Sequence, residues 1–127
     1  MLKKIIASIL SLVLLAAANQ ASGDTYVVKP DGTGDYPVIQ AAIDAAANGD
    51  EILLADGVFR GKGNKEVYFW GKTVTVRSQS GNPVDCIIDG EGEIGLPYAI
   101  FIFDYGEGRD AIVRDLTIYD GSTSTVC

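Results

Sequence analysis

The sequence contains no histidine, the side chain that most often serves as a general base or metal ligand near neutral pH. The Gly-x-Ser-x-Gly elbow of serine hydrolases is also absent. Only two cysteines are present, Cys86 and Cys127. That number excludes a disulfide framework and a zinc site with four Cys or His ligands. Whether the two cysteines pair with each other stays open, and Cys86, inside an apolar run, is expected to be buried and inert.

Basic residues are scarce as well. Lys and Arg total 10 against 17 Asp and Glu, which gives a net charge of −7. Proteins that bind nucleic acid depend on Lys and Arg contacts to phosphates. A nucleic-acid partner is therefore not expected.

The N-terminus lacks an apolar run long enough to span a bilayer, which takes ~20 residues. Two lysines precede an apolar stretch over residues 5–18, and small residues continue to Gly23. This order is typical of a secretory signal peptide at 1–23 rather than a membrane anchor. The mature chain, 24–127, is then secreted (extracellular, periplasmic or at the cell surface) and has no membrane span. Cleavage is expected after one of three small residues: Ala18, Ala21 or Gly23.

One helix is expected, at about 37–47. Pro37 suits the first helical position, and the Asn-Gly pair that ends at Gly49 supplies a left-handed stop. Gln40 and Asp44 are expected to face water. An apolar stripe at i, i+3, i+4 and i+7 marks the buried face. The stripe consists of Ile39, Ala42, Ile43 and Ala46.

After the helix, short apolar runs closed by turn residues predict strands. Ile52 and Val74 are 22 residues apart, Val74 and Ile100 are 26 apart, and Ile87 and Ile112 are 25 apart. A period in the twenties without helices between the strands favours a β-solenoid of stacked coils. A β-sandwich is the alternative, because some runs follow one another at sandwich spacing.

Alternation along these runs predicts which side chains face inward. Val74 and Val76 are expected in the core, with Thr75 and Arg77 outside. The run "IFIF" at 100–103 is apolar on both faces. A covered core is expected there, and an aromatic surface for a ligand is the alternative.

Several motifs of the opening segment carry a family resemblance. They are Asp31-Gly32-x-Gly34-Asp35-Tyr36, Ile39-Gln40-x-Ala42-Ile43, Gly49-Asp50 and Gly57-Val58-Phe59. With them the chain resembles the right-handed parallel β-helix proteins of the pectin-lyase-like superfamily. The segment is similar to the start of pectin methylesterases and of bacterial secreted β-helix repeat proteins. The resemblance implies an all-β, right-handed parallel β-helix with an N-terminal capping helix. About three coils would cover 50–127, and the domain is expected to be truncated at its C-terminus.

The resemblance also implies a function. The parent family binds or modifies extracellular polysaccharide, as a lyase, esterase or hydrolase where it is enzymatic. The catalytic aspartates, arginine and glutamines of pectin methylesterases lie in later coils, which have no match here. The catalytic residues are therefore unknown, and this chain is expected to lack the catalytic coils. The alternative is a non-catalytic structural or adhesive surface protein that self-associates through the open end of the β-helix.

Acidic side chains suggest one metal site. The stretch "FDYGEGRD" brings Asp104, Glu107 and Asp110 together with Arg109. Calcium prefers several carboxylate and carbonyl oxygens, so these three acidic residues are the candidate ligands. The alternative is a solvated acidic loop with a local ion pair. No other cofactor is evident.

Two glycine-rich stretches are predicted to be turns. "GEGEIG" at 90–95 matches a dinucleotide-binding pattern, but Leu96 and Pro97 follow where a helix would have to begin. "DGTGD" at 31–35 lacks the spacing of a twelve-residue calcium loop. Its last residue, Asp35, is expected to lie near the positive end of the helix.

Overall fold

The computed structural model describes residues 23–92, 99–119 and 124–126. The predicted signal segment, apart from Gly23, lies outside these residues, as do part of "GEGEIG" and Cys127. One helix, α1 (Ile39–Ala45), and ten short strands are present in the described part. The strands are β1 (Thr25–Val28), β2 (Glu51–Leu54), β3 (Gly57–Phe59), β4 (Val67–Tyr68), β5 (Thr75–Ser78), β6 (Cys86–Asp89), β7 (Phe101–Ile102), β8 (Ile112–Arg114), β9 (Thr117–Tyr119) and β10 (Ser124–Val126).

The strands form three small sheets. The first has the order β1-β2-β5-β8, and all of its neighbours run parallel. The second has the order β10-β9-β6-β3, in which only β10 is antiparallel to its neighbour. The third is the parallel pair β4-β7. Every parallel pair joins strands that are distant in sequence, so the segments between them cross from one sheet to another.

The predicted fold class is wrong. Among the described residues, the sheets are separate and no sheet closes or forms a solenoid, so the all-β, right-handed parallel β-helix of about three coils is not found. The chain is a mix of one helix and short parallel strands. The strands are two to four residues long, and they pair in three separate sets because successive strands belong to different sheets.

The intervals between paired residues also differ from the spacings noted in the sequence. Ile52 pairs with Val76 rather than Val74, and Ile87 pairs with Thr117 rather than Ile112. Within one sheet, Thr75 lies 24 residues after one partner, Glu51, and 37 before the other, Ile112. Ile100 lies directly before β7, and Val74 lies directly before β5. The strand β7 pairs with β4 and not with β5. Loops of unequal length separate the strands, so no single period describes them.

The apolar stripe of the helix is confirmed: Ile39, Ala42, Ile43 and Ala46 are all buried. The bounds are shorter than 37–47, because the helix begins at Ile39 and not at Pro37. Val38 occupies the N-cap position and has no capping side chain. A distant loop caps the helix instead. The Ile39 N–H donates to Asn64 Oδ1 at 3.0 Å, and the Gln40 N–H donates to the Gly63 carbonyl at 2.9 Å.

The C-terminal end of α1 is held by one lysine. Lys72 Nζ donates to the carbonyl oxygens of Ile43 at 2.8 Å, Asp44 at 2.9 Å and Ala46 at 2.8 Å. Ala46 has an extended backbone, so the helix stops there, before the predicted Asn-Gly stop. A cation at this position also complements the negative end of the helix dipole.

The predicted alternation in β5 is confirmed, since Val74 and Val76 are fully buried and Thr75 and Arg77 are not. The core unites the helix stripe with the inward side chains of the first two sheets and of β4. A fully buried Ile, Leu or Phe contributes about 1.5–3 kcal/mol. The covered core expected at 100–103 is correct only in part: Ile100 is buried, but Phe103 is 48% exposed.

Asp35 bonds to the backbone of β1, and its position near the positive end of the helix stays a prediction. Its Oδ2 accepts the Val27 N–H at 2.7 Å, and its own N–H donates to the Val27 carbonyl at 2.7 Å. Asp35 therefore covers the outer edge of β1. Gly34 is required at this contact, because a Cβ there would lie 2.4 Å from the Val27 carbonyl oxygen.

Candidate functional site

The side chains around β4 separate into a buried and an exposed set. Val67 and Phe69 point inward and are fully buried, whereas Tyr68 is half-buried and Trp70 is 47% exposed. This is the alternation of an extended strand. Trp70 has φ +56° and Gly71 has φ +73°, so the chain turns directly after the exposed indole. The turn brings Gly71 close to Tyr105, where a Cβ would lie 3.0 Å from the Tyr105 carbonyl oxygen.

Three aromatic rings form one surface, which we call the aromatic surface: Tyr68, Trp70 and Tyr105. The Tyr68 and Trp70 rings stack, with centroids 4.9 Å apart and planes 19° apart. Tyr105, 54% exposed, lies 5.0 Å from Trp70 and 6.4 Å from Tyr68. Contiguous exposed apolar groups of this kind often mark a contact site for another molecule.

The helix supplies polar groups at the edge of this surface. Asp44 Oδ1 accepts the Trp70 Nε1–H at 3.1 Å and a Gln40 Nε2–H at 2.9 Å. Gln40 also bridges to the backbone of Tyr68, because its Oε1 accepts the N–H at 2.8 Å and its Nε2 donates to the carbonyl at 3.0 Å. The prediction that Gln40 faces water is therefore wrong, while Asp44 is exposed as predicted. These bonds fix the orientation of the indole.

Glu107 joins the two loops that carry the rings. One carboxylate oxygen accepts the Gly71 N–H at 2.9 Å, and the other accepts the Tyr105 N–H at 2.9 Å. Partial desolvation raises the pKa of Glu107, but backbone N–H groups of Gly71, Glu107 and Tyr105 together lower it below its ordinary value. The carboxylate is therefore charged at neutral pH and holds Trp70 and Tyr105 on adjacent loops.

One buried ring, that of Phe69, contacts two further phenylalanines. Phe69 contacts Phe103 with centroids 4.5 Å apart and Phe101 at 6.0 Å. Phe69 is fully buried and lies between Tyr68 and Trp70 in sequence. The aromatic surface therefore rests on the core, so its rings lose little freedom when a ligand binds.

The predicted calcium ligands are not gathered into a cluster. Asp104 and Asp110 are exposed, and Glu107 uses both carboxylate oxygens on backbone N–H groups. Within the described ranges, no group of three or more His, Cys, Asp or Glu side chains could hold a metal ion. Calcium bound by these residues stays a prediction.

Cys86 is fully buried, as predicted. Desolvation, with a smaller contribution from Asp56, raises the pKa of the thiol to about 12. The thiol is protonated at neutral pH and is a poor nucleophile.

Sequence reasoning missed β4 and the aromatic surface. The signal is present in "EVYFWGK", where Tyr68 and the single tryptophan, Trp70, alternate with Val67 and Phe69 before a glycine turn. The sequence does not indicate that Tyr105 belongs to the aromatic surface, because its position there depends on the pairing of β4 with β7.

Comparison with known proteins gives no relative: no family model, no curated protein and no solved structure matches the chain. In the described part, no helix has the length and apolar character needed to cross a membrane.

Proposed function

We propose that this protein binds extracellular polysaccharide at the aromatic surface formed by Tyr68, Trp70 and Tyr105. The observation that carries the proposal is the pair of half-exposed rings, Trp70 and Tyr105, beside the carboxylate of Asp44 and the amide of Gln40. A pyranose ring has an apolar C–H face and a rim of hydroxyls. The C–H face suits the negative face of an aromatic ring, and the hydroxyls suit a nearby carboxylate such as that of Asp44.

Two expectations from the sequence support this ligand and this compartment. The signal peptide predicted at 1–23 would deliver the chain to the exterior, where polysaccharides are abundant. The opening segment resembles the start of pectin methylesterases and of bacterial secreted β-helix repeat proteins, and pectin methylesterases act on a polysaccharide.

Binding without turnover is the activity that we propose. The two carboxylates nearest the rings already accept protein hydrogen bonds: Asp44 from Trp70 and Gln40, and Glu107 from two backbone N–H groups. Carboxylates held in this way position the rings. Glycoside hydrolysis instead needs one carboxyl group that gives up a proton and a second one opposite it.

Affinity electrophoresis in gels that contain soluble polysaccharides tests the proposal. Tyr105→Ala is expected to weaken binding at least about fivefold for any polymer that retards the native chain. Tyr119→Ala is the matched control, because Tyr119 is an exposed tyrosine on β9, in a different sheet. If no polymer in a broad panel retards the native chain, or if both variants behave alike, the proposal is wrong.

Self-association is a second candidate function, and the edge of the first sheet favours it. No described strand pairs with the outer edge of β8, and Ile112 on that strand is 38% exposed. An open edge strand offers backbone groups to another chain. A concentration-dependent increase in mass on light scattering that Val113→Pro removes would support this candidate, and a constant monomer mass would contradict it.

Calcium binding is a separate proposal that rests on Asp104, Glu107 and Asp110. Because Glu107 bonds to the backbone beside Trp70, calcium bound there would change the tryptophan emission. A calcium titration that leaves both this emission and the melting temperature unchanged would exclude the site.

A further inference from the structure

We propose that the polysaccharide bound at the aromatic surface is uncharged, a polymer of neutral hexopyranose units rather than a polyuronate. This inference rests on the proposed function and names the class of its ligand. It is argued from the charges around the three rings.

Negative charge lies on two sides of the rings. Asp44 is exposed and accepts the Trp70 Nε1–H at 3.1 Å, which places a carboxylate at the edge of the indole. Glu107 lies between the loops of Trp70 and Tyr105, and hydrogen bonds keep its pKa below the ordinary value. A uronate stacked on either ring would bring its own carboxylate close to these two charges.

Among the described residues, neither Asp44 nor Glu107 forms an ion pair with a cation. The Lys72 ammonium donates to three carbonyl oxygens at the end of α1 and so has no bond left for a ligand. Arg109 is the one cation in the loop 103–111, and it is accompanied by Asp104, Glu107 and Asp110. The whole chain carries a net charge of −7, which also repels a polyanion.

The expected discrimination follows from the charges. A like charge about 6 Å away in water lowers affinity by roughly threefold, so two carboxylates together lower it by about tenfold. The repulsion is screened by salt, whereas stacking on a neutral sugar is not. A neutral polymer should therefore bind more tightly, and by the greatest factor at low ionic strength.

Two derivatives of one backbone provide the test, hydroxyethyl cellulose without charge and carboxymethyl cellulose with carboxylates. Affinity electrophoresis is run at about 20 mM and about 500 mM salt, and emission of Trp70, the single tryptophan, gives a second readout. We expect hydroxyethyl cellulose to bind at least about tenfold more tightly at low salt and the difference to narrow at high salt.

Charge variants sharpen the test. Asp44→Asn keeps an oxygen that can accept the indole N–H and should move the ratio of the two affinities about threefold toward the charged polymer. Asp85→Asn makes the same charge change in the exposed loop before β6 and should leave the ratio unaltered.

The outcomes separate the two proposals. Equal or tighter binding of carboxymethyl cellulose overturns this inference and leaves polysaccharide binding in place. A preference for the neutral polymer that Asp44→Asn fails to shift also overturns it, because the carboxylate would then not discriminate. If neither polymer nor any other glycan binds, the proposed function itself is wrong.

Discussion

Replacing Asn64 with alanine should destabilise the protein and loosen the helix that orients the aromatic surface. Asn64 is 5% exposed, its Oδ1 accepts the Ile39 N–H, and its Nδ2 donates to the Arg60 carbonyl at 2.9 Å. Alanine leaves the Ile39 N–H at the buried start of α1 without an acceptor. The Arg60 carbonyl belongs to an exposed residue and can bond to water instead.

The expected loss in the free energy of unfolding follows from the bonds that Asn64 makes. An unsatisfied buried donor costs about 1–3 kcal/mol, and loss of a helix-capping group costs about 0.5–2 kcal/mol. Both ranges refer to the same bond, that between the Ile39 N–H and Asn64, so they are not added. Asn64→Ala is therefore expected to lower the free energy of unfolding by about 2 kcal/mol. For a domain of this size, that loss lowers the melting temperature by about 8–16 °C.

Urea unfolding followed by far-UV circular dichroism measures the free energy of unfolding of each variant. Asn82→Ala is the control, because Asn82 is exposed and its side chain bonds only within its own turn. The reasoning is refuted if Asn64→Ala costs no more than Asn82→Ala.

Three further predictions concern single groups. Lys72→Met should lower the free energy of unfolding by about 2 kcal/mol, because the end of the helix loses a charged donor. Urea unfolding measures this loss. Lys62→Met, at an exposed position, is the control and should change the free energy of unfolding little. Cys86, with its thiol pKa near 12, should resist iodoacetamide at pH 8 until urea unfolds the chain, and rapid labelling of the native chain would contradict its burial. Because the pKa of Glu107 is lowered on folding, its stabilising contribution is complete above about pH 5 and is lost as the pH falls through the lowered value. Trp70 emission should therefore change below about pH 4. The variant Glu107→Gln should remove this change in emission. If the change persists in the variant, Glu107 is not its source.

The local features that the sequence predicted correctly depend on side-chain periodicity. The helix stripe from Ile39 to Ala46 and the inward pair Val74 and Val76 are buried as expected, because spacing of 3.6 and 2 residues reports directly on one face of an element. The helix bounds were too wide because both ends are set by distant side chains, Asn64 and Lys72. The residues of the helix and its immediate neighbours in sequence do not indicate which distant side chains will bond to its ends.

The arrangement of the sheets could not be predicted from spacing. The interval between paired residues changes from 24 for Glu51 and Thr75 to 37 for Thr75 and Ile112, and the extra residues lie in loops. Apolar runs show where strands form, but they do not show which strand is the neighbour. A regular period was therefore inferred where the pairing is irregular, and the fold class was wrong.

The candidate site was missed for a related reason. Glu107 was predicted as a metal ligand, yet it accepts the N–H of Gly71, a residue 36 positions away. Its role depends on the pairing of β4 with β7, which each contribute only two residues. A strand this short has too little alternation to be recognised, even though Trp70 stands at its end.

Polysaccharide binding by the exposed rings is the central claim, and the Tyr105→Ala variant tests it most directly. Alanine removes the most exposed of the three rings, 54% exposed, without cutting into the core. In affinity gels with hydroxyethyl cellulose, the account predicts that the native chain and Tyr119→Ala are retarded equally. It predicts that Tyr105→Ala binds at least about fivefold more weakly, the loss that corresponds to ~1 kcal/mol at an aromatic contact. Equal retardation of Tyr105→Ala and the native chain would contradict the claim.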